Sequence, residues 1–235
     1  MDNTYHYPGG ELSLFKDATN WKMYLKKHIQ PYLRGEVLEV GAGIGATTRL
    51  LNDGVYTSWT MLEPDESMYQ NLTGQESQFP ENTYILIGTL EVLSSQKFDT
   101  IIYIDVLEHI EKDKEELAEA AKLLKECGHL IVLSPAYQFL YSPFDKAIGH
   151  YKRYHKTDLK VITPITLKLV QMKYLDSFGF FASVMNKIFL HQTYPTKKQI
   201  DFWNKTLIQL SKIADPLFFH SFGKSILAIW EKKHA

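Results

Sequence analysis

The feature that most constrains the fold of this chain is a glycine-rich turn directly after a short apolar segment. Residues 36–40 have the length and composition of a buried strand, and the turn Gly41-Ala42-Gly43-Ile44-Gly45 follows without a break. Glycines at such a position let the backbone approach a ligand and open a helix whose first amides face that ligand. The turn therefore predicts a strand–turn–helix unit that binds a small molecule.

The same turn fits two kinds of binding motif. Residues 41–46 follow the G-x-G-x-x-A pattern of dinucleotide-binding proteins, and together with Glu39 the turn also follows an E-x-G-x-G-x-G pattern. Glu63 lies 22 positions after Gly41, where a carboxylate can accept hydrogen bonds from both hydroxyls of an adenosine ribose. NAD and S-adenosylmethionine both carry this diol, so Glu63 alone leaves both ligands open.

Two features favour S-adenosylmethionine over NAD. Glu39 stands inside the strand, two residues before Gly41, where its carboxylate suits a cationic amino-acid ligand and repels a pyrophosphate. The strand also follows about 35 residues of predicted helical lead-in, whereas dinucleotide-binding domains often begin at the strand. Both features point to the amino-acid end of S-adenosylmethionine beside the turn.

Apolar periodicity predicts an alternation of strands and helices along the chain. The predicted strands comprise residues 36–40, 56–62, 83–87, 98–104, 129–133, 167–174 and 225–230. The predicted helices comprise residues 21–32, the segment from the turn to Gly54, and residues 111–126, 180–190 and 197–213. Gly128 is expected to terminate the third of these helices. This order predicts an α/β fold with a doubly wound, mostly parallel, seven-stranded sheet.

The chain of 235 residues contains no internal repeat and no linker rich in Gly, Ser or Pro, which predicts a single domain. We divide it into a helical lead-in (1–35), a ligand-binding core (36–135), a lid or acceptor region (136–224) and a last strand (225–235). The lid region begins with a long, irregular and aromatic stretch at 136–163. Loops of that length usually cover or bind a ligand.

Composition narrows the class of partner. The chain carries 26 Lys and Arg against 27 Asp and Glu, so it lacks the basic excess that binding to a phosphate backbone requires. A single cysteine, Cys127, cannot form an intrachain disulfide. No apolar run reaches the roughly 18 residues of a membrane span, and the first residues lack the pattern of a signal peptide. We expect a cytoplasmic protein that acts on a small molecule, with no nucleic acid partner and no stable membrane insertion.

A series of motifs between residues 36 and 135 resembles the class I S-adenosylmethionine-dependent methyltransferases. The matching segments are VLEVGAGIG (37–45), LEP (62–64), FDTII (98–102), DVLEHI (105–110) and LLKECGHL (123–130). The family usually has Pro-Gly in the last segment, where this chain has Glu126 and Cys127 before Gly128. The resemblance implies the Rossmann-like methyltransferase fold and S-adenosylmethionine as the cofactor, with S-adenosylhomocysteine as its product.

The resemblance also implies a set of cofactor-binding residues. They are Glu39, Gly41, Gly43, Gly45, Glu63, Pro64, Thr89, Leu90 and Asp105. The three glycines would line the methionine end with Glu39 near its amino group, Glu63 would hold the ribose, and Asp105 would face the sulfonium. Residues 88–90 would lie by the adenine, although the family more often has Asp at the position of Thr89. Tyr5, Tyr7 and Trp21 are further candidates for covering the cofactor.

Two segments are expected beside the reacting methyl group. In the first, Glu108 and His109 are acid–base candidates, although Glu108 can equally stabilise the positive end of a following helix. The second is the loop 141–154, in which an imidazole such as that of His150 can take a proton near neutral pH. Related methyltransferases carry a similar Gly-His-x-x-Arg-Tyr run. We expect His150 to be the base and Arg153 and Tyr154 to position the acceptor, with a solvated basic turn as the alternative.

We expect no metal requirement. Asp105 and Glu108 have no third ligand nearby in sequence. The histidines outside these two segments show no ligand spacing either; they include His6, His28, His191, His220 and His234. Three functions remain: a small-molecule O- or N-methyltransferase, an NAD-dependent oxidoreductase, and a protein that binds S-adenosylmethionine without catalysis.

Overall fold

The computed structural model describes Tyr7, Gly10 and residues 12–190 and 194–234. Tyr5, His6 and His191 lie outside the described residues. Seven strands form one sheet. They are β1 (Glu36–Val40), β2 (Ser58–Glu63), β3 (Thr83–Ile87), β4 (Phe98–Ile104), β5 (Leu124–Pro135), β6 (Leu167–Leu175) and β7 (Ser225–Lys232).

The order of the strands is β3-β2-β1-β4-β5-β7-β6, with β7 antiparallel to both of its neighbours and the other pairs parallel. This confirms the predicted seven-stranded, mostly parallel sheet. Dinucleotide-binding folds of the Rossmann type have six parallel strands in the order 3-2-1-4-5-6. The antiparallel strand inserted between β5 and β6 separates the sheet of this chain from that arrangement.

Ten α-helices lie in the described part of the chain. They are α1 (Leu12–Phe15), α2 (Thr19–Ile29), α3 (Thr48–Leu51), α4 (Glu66–Thr73), α5 (Asp113–Leu123), α6 (Pro143–Ala147), α7 (Lys156–Ile162), α8 (Ser177–Met185), α9 (Lys197–Phe202) and α10 (Ile208–Leu217). None of the helices in these described ranges is long and apolar enough to cross a bilayer.

Both faces of the sheet are buried, which explains the nearly continuous apolar runs of its central strands. On β4, Ile101 packs in the cluster on one face together with Leu38 and Leu130. The next residue, Ile102, packs on the other face. Because successive side chains of a strand point to opposite faces, each central strand supplies both cores.

The helix predicted at 111–126 is shorter in the structure, and Gly128 does not terminate it. Helix α5 ends at Leu123, and β5 begins at Leu124, which pairs with Phe98 of β4. Lys232 Nζ donates hydrogen bonds to the carbonyl oxygens of Ala121 and Leu124, at 2.9 and 2.8 Å. Strand pairing and this lysine therefore end the helix about one turn before the glycine.

The helices between β6 and β7 bind the lead-in helix α2 through buried polar contacts. Tyr24 of α2 donates a hydrogen bond to Asp215 Oδ2 at 2.8 Å, and the backbone amide of Trp21 donates one to Asn204 Oδ1 at 3.1 Å. Asp215 also accepts the amides of Asp176 and Ser177 at the start of α8. Two segments far apart in sequence thus form one wall beside the sheet.

Candidate active site

A cavity of about 290 Å³ lies where the carboxyl ends of β1, β2, β4 and β5 meet. In an open parallel sheet this edge is the usual place for ligands. The glycine turn and Glu63 line the part of the cavity after β1 and β2, and Asp105 and His150 line the part after β4 and β5. Folding therefore brings most of the predicted site residues to one cavity.

Glu63 holds the glycine turn and faces the cavity. Its Oε2 accepts the amide of Gly43 at 2.7 Å, its Oε1 accepts the amide of Asp65 at 2.9 Å, and the residue is only 4% exposed. Burial raises the pKa of Glu63, and the two amides oppose that rise. Because each carboxylate oxygen has a second acceptor site, both ribose hydroxyls of an adenosine ligand can be accepted here.

The three glycines of the turn have different structural roles: two line the cavity and one is required for packing. Gly43 lines the cavity with φ of +57°, and among the described residues a Cβ there would meet only Leu12, at 3.4 Å, which leaves its backbone accessible from the cavity. Gly45 does not line the cavity. A Cβ on it would lie 2.7 Å from the ring of Phe79 and 2.9 Å from Leu72. Gly41 and Pro64 line the cavity as predicted, whereas Gly45 is required for packing beneath it.

Glu39 lies below the cavity and does not line it. Its Oε2 accepts hydrogen bonds from the Thr48 hydroxyl and from Trp59 Nε1, the latter at 2.8 Å. Burial raises the pKa of Glu39 to about 7. In the structure, Glu39 ties β1 to β2 and α3 through these hydrogen bonds, and its predicted place near the amino group of the cofactor stays a prediction.

Thr89 and Leu90 are two predicted cofactor-binding residues that do not belong to the lining of the cavity. They follow Gly88, whose amide donates a hydrogen bond to the carbonyl of Glu63 at 3.0 Å, but neither lines the cavity. Leu90 is buried in the core. Their predicted contact with adenine therefore has no counterpart in the shape of the cavity.

Asp105 follows β4 with a left-handed backbone, φ of +55°, and lines the cavity. Such a conformation is uncommon outside glycine and marks a constrained position. Burial raises the pKa of Asp105 to about 6, while the positive charges of His150 and Lys224 oppose that rise. Asp105 therefore lines the cavity, and its role near the sulfonium stays a prediction.

Asp145 organises the loop after β5. Its Oδ1 lies 2.9 Å from His150 Nδ1, and its two oxygens accept hydrogen bonds from Arg153 Nε and Nη2 at 2.8 and 2.9 Å. Burial acts to raise the pKa of Asp145, but the hydrogen bonds from His150, Arg153 and Ser142 hold it well below its usual range. With Nδ1 bound to Asp145, the other ring nitrogen of His150 is left for the cavity.

Two predicted positioning roles need correction. Arg153 lines the cavity, but its bidentate capacity is used by Asp145, so it cannot clamp an acceptor in the same way. Tyr154 is fully buried, and its hydroxyl donates to Asp113 Oδ2 at 2.8 Å. The backbone of Tyr154 pairs with residues 135–137, which turns its side chain into the core. Tyr154 therefore cannot contact an acceptor in this structure.

Glu108 lies on the wall of the cavity. It is fully buried, lines the cavity, and neither carboxylate oxygen has a hydrogen-bond partner within the described residues. Burial raises the pKa of Glu108 well above its usual range, and the neighbouring Asp105 adds to this. His109 also lines the cavity, and burial lowers its pKa to about 3, helped by the charge of His150. His150 Nε2 lies 3.8 Å from Glu108 Oε1.

Sequence reasoning gave no role to Asp145, Lys22, Lys224 or Trp203, all of which line the cavity. The Ser142-Pro143-x-Asp145 spacing predicts only a capped helix, and the structure has that capping box as well. Of the residues expected to cover the cofactor, Tyr7 and Trp21 line the cavity. Tyr5 falls outside the described residues.

Known proteins resemble both the sequence and this fold. A family model described as a methyltransferase domain matches residues 20–169. Two demethylmenaquinone methyltransferases of Tropheryma whipplei, strains Twist and TW08/27, are 30% identical over 122 residues, which is 52% of this chain and 50% of theirs. The chain thus spans about half the length of the curated relatives it matches.

Solved structures share the fold at lower identity. An S-adenosylmethionine-dependent methyltransferase from Clostridium acetobutylicum superposes with a TM-score of 0.59 at 12% identity, covering 93% of this chain and 93% of its own. Coclaurine N-methyltransferase, bound to N-methylheliamine and S-adenosylhomocysteine, superposes with a TM-score of 0.61 at 12% identity, covering 92% of this chain and 72% of its own. The family match, the motifs and the strand order agree, and the chain belongs to the class I S-adenosylmethionine-dependent methyltransferases.

Proposed function

We propose that this chain transfers the methyl group of S-adenosylmethionine to an oxygen or nitrogen atom of a small-molecule acceptor. The observation that carries the proposal is the joint placement of two groups on one cavity. Glu63 and the glycine turn offer acceptors and an open backbone for the cofactor, and His150 presents a ring nitrogen beside Asp105.

The residues present fit the cofactor. Glu63 would accept the ribose hydroxyls, Gly41 and Gly43 would line the methionine end, and Asp105 would lie by the sulfonium. When bound, the cofactor supplies an electrophilic methyl carbon on its sulfonium. Trp21 and Trp203, whose ring centroids lie 5.9 Å apart, belong to the same lining and exclude water from the cavity.

We assign to His150 the removal of a proton from the acceptor. Asp145 fixes the ring through Nδ1, as an oriented carboxylate does for a histidine base, and this leaves Nε2 to accept a proton. Arg153 holds Asp145 through Nε and Nη2, which makes it a positioning residue for His150. Proximity supplies the larger share of the rate, because orientation of two reactants can contribute roughly 7–11 kcal/mol.

The names of the relatives support a small acceptor. The Tropheryma whipplei proteins are named for demethylmenaquinone, and a structural neighbour holds N-methylheliamine. The balanced charge of the chain supports the same choice over nucleic acid. The cytoplasm as the site of action stays a prediction.

Calorimetry and turnover assays test the proposal against its two competitors. We expect the metal-free protein to bind S-adenosylhomocysteine at one site and to bind NAD⁺ far more weakly. Incubation with S-adenosylmethionine and a panel of phenols and amines is then expected to release S-adenosylhomocysteine. Tighter binding of NAD⁺ would overturn the methyltransferase assignment. Tight cofactor binding without turnover on any acceptor would favour the non-catalytic alternative.

A further inference from the structure

Three side chains with metal-binding atoms converge at the acceptor end of the cavity. Glu108, His109 and His150 each offer one such atom, and these atoms all lie within 4.8 Å of one another. All three residues line the cavity. Glu108 and His109 come from the segment after β4 and His150 from the loop after β5, so only the fold brings them together.

The carboxylate of Glu108 is the first of two buried groups in this cluster that lack a hydrogen-bond partner among the described residues. It is fully buried, and neither of its oxygens has a hydrogen-bond partner among the residues described. His109 Nδ1 is likewise buried without a partner in that part of the chain. A buried polar side chain without a partner is costly, and a buried carboxyl group normally becomes neutral, pairs with a charge or coordinates a metal. Glu108 and His109 thus point to a ligand that balances them.

His150 has the second hydrogen bond that metal-binding histidines usually show. Its Nδ1 lies 2.9 Å from Asp145 Oδ1, and Asp145 is itself held by Arg153 and Ser142. Such a carboxylate fixes the ring and its tautomer, and it strengthens the free nitrogen as a ligand. Nε2 is the nitrogen left over, 3.8 Å from Glu108 Oε1.

We propose that Glu108, His109 and His150 bind one divalent transition-metal ion, with zinc as the preferred occupant. Two imidazoles and one carboxylate are a known set of three protein ligands for zinc, and the fourth position of such a site takes water or another small ligand. Here the fourth position would open into the cavity. The harder ions Mg²⁺ and Ca²⁺ prefer all-oxygen sites and suit this set poorly.

The distances allow the ion to bind after small side-chain movements. Ligand bonds of about 2.1 Å place the ligand atoms of a tetrahedral site about 3.4 Å apart. The present separations of at most 4.8 Å therefore need to close by at most about 1.4 Å. The three ligands also lie among further acidic groups, because Asp105 and Asp145 line the same cavity, together with the basic side chains of Arg153 and Lys224.

The inference rests on the proposed function only for the role of His150. One lone pair on Nε2 either takes the acceptor's proton or binds the ion, so zinc and the base role exclude each other. Zinc would therefore close the acceptor end and inhibit methyl transfer. The expectation of metal independence is kept for turnover. It was argued from the lack of a third ligand nearby in sequence, and His150 comes close to Glu108 only through the fold.

Titration calorimetry with ZnCl₂ on metal-stripped protein tests the site. All measurements use the variant His234→Gln as the parent, because His234 Nε2 lies 3.0 Å from Cys127 Sγ and that pair can bind zinc on the surface. We expect one equivalent of zinc in this parent and at least tenfold weaker binding in Glu108→Gln and in His109→Gln. His155→Gln, outside the cavity lining, is the matched control and is expected to bind as the parent does.

Binding of S-adenosylhomocysteine by the stripped variants shows that they are folded and tests the cofactor site separately. Absence of zinc binding, or equal binding in Glu108→Gln and the parent, would overturn the inference and leave the proposed function intact. Visible absorption of Co²⁺-loaded protein should show tetrahedral coordination that the Glu108→Gln variant loses. If zinc raises turnover instead of inhibiting it, His150 is not the general base. The predicted competition between zinc binding and that role would then also be wrong.

Discussion

Replacement of Glu63 by Gln tests the cofactor site most directly. Glu63 offers two carboxylate oxygens, each already bound to one backbone amide, at 2.7 Å from Gly43 and 2.9 Å from Asp65. Gln keeps one oxygen and puts an NH₂ group in place of the other. One ribose hydroxyl then loses a charged acceptor, which corresponds to about 1.5–3 kcal/mol of binding free energy. Affinity for S-adenosylhomocysteine should fall roughly 10- to 150-fold.

The same substitution has a separate cost for folding. The new NH₂ group must face the amide of Gly43 or of Asp65, and a buried donor without an acceptor costs about 1–3 kcal/mol. Binding is therefore measured by calorimetry well below the midpoint of thermal unfolding, with the exposed Glu81→Gln as the matched control for loss of one charge. A folded Glu63→Gln protein with unchanged affinity would refute the role of Glu63 and leave it a support for the turn.

Three further predictions follow from the same contacts. His150→Ala should lower turnover about 100-fold with little change in affinity for S-adenosylhomocysteine, and Asp145→Asn should lower turnover by a smaller factor. Normal rates of both variants in a steady-state assay would exclude His150 as the general base. Gly45→Ala should destabilise the fold by about 1–3 kcal/mol in urea unfolding, because its φ is +71° and Phe79 fills the space; equal midpoints would contradict this. Burial raises the pKa of Glu39 to about 7, so its protonated form, which stabilises the fold, is lost as the pH rises through that value. The free energy of unfolding of Glu39→Gln should therefore gain up to about 3 kcal/mol over that of the parent between pH 5 and pH 8. A gain independent of pH would argue against burial as the cause.

The sequence predicted the sheet well because its strands carry strong local patterns. Segments such as 98–104 are apolar on both faces, and their ends agree with the structure. The end of α5 was wrong because it is set by partners far along the chain: Phe98 pairs with Leu124, and Lys232 satisfies the last carbonyls. A glycine at position 128, read as a local signal for the end of a helix, carried no information about those contacts.

The cofactor half of the site was more predictable than the acceptor half. Glu63 and Gly43 belong to one strand–turn–helix unit, whose geometry follows from a short stretch of sequence. The acceptor half depends on how a loop turns after β5. Position in that loop suggested a shared role for Arg153 and Tyr154, but backbone pairing with residues 135–137 directs Tyr154 into the core and Asp145 captures Arg153.

The buried contacts between α2 and the helices before β7 have a consequence for how the protein unfolds locally. Tyr24 and Trp21 bind Asp215 and Asn204, so removal of α2 would leave a buried carboxylate and a buried amide without these partners. The bonded residues lie more than 180 positions apart in sequence, and the two segments should therefore unfold as one cooperative unit. In native-state hydrogen exchange, the amides of 19–29 and 208–217 should share one opening free energy, and truncation before residue 30 should abolish protection in both.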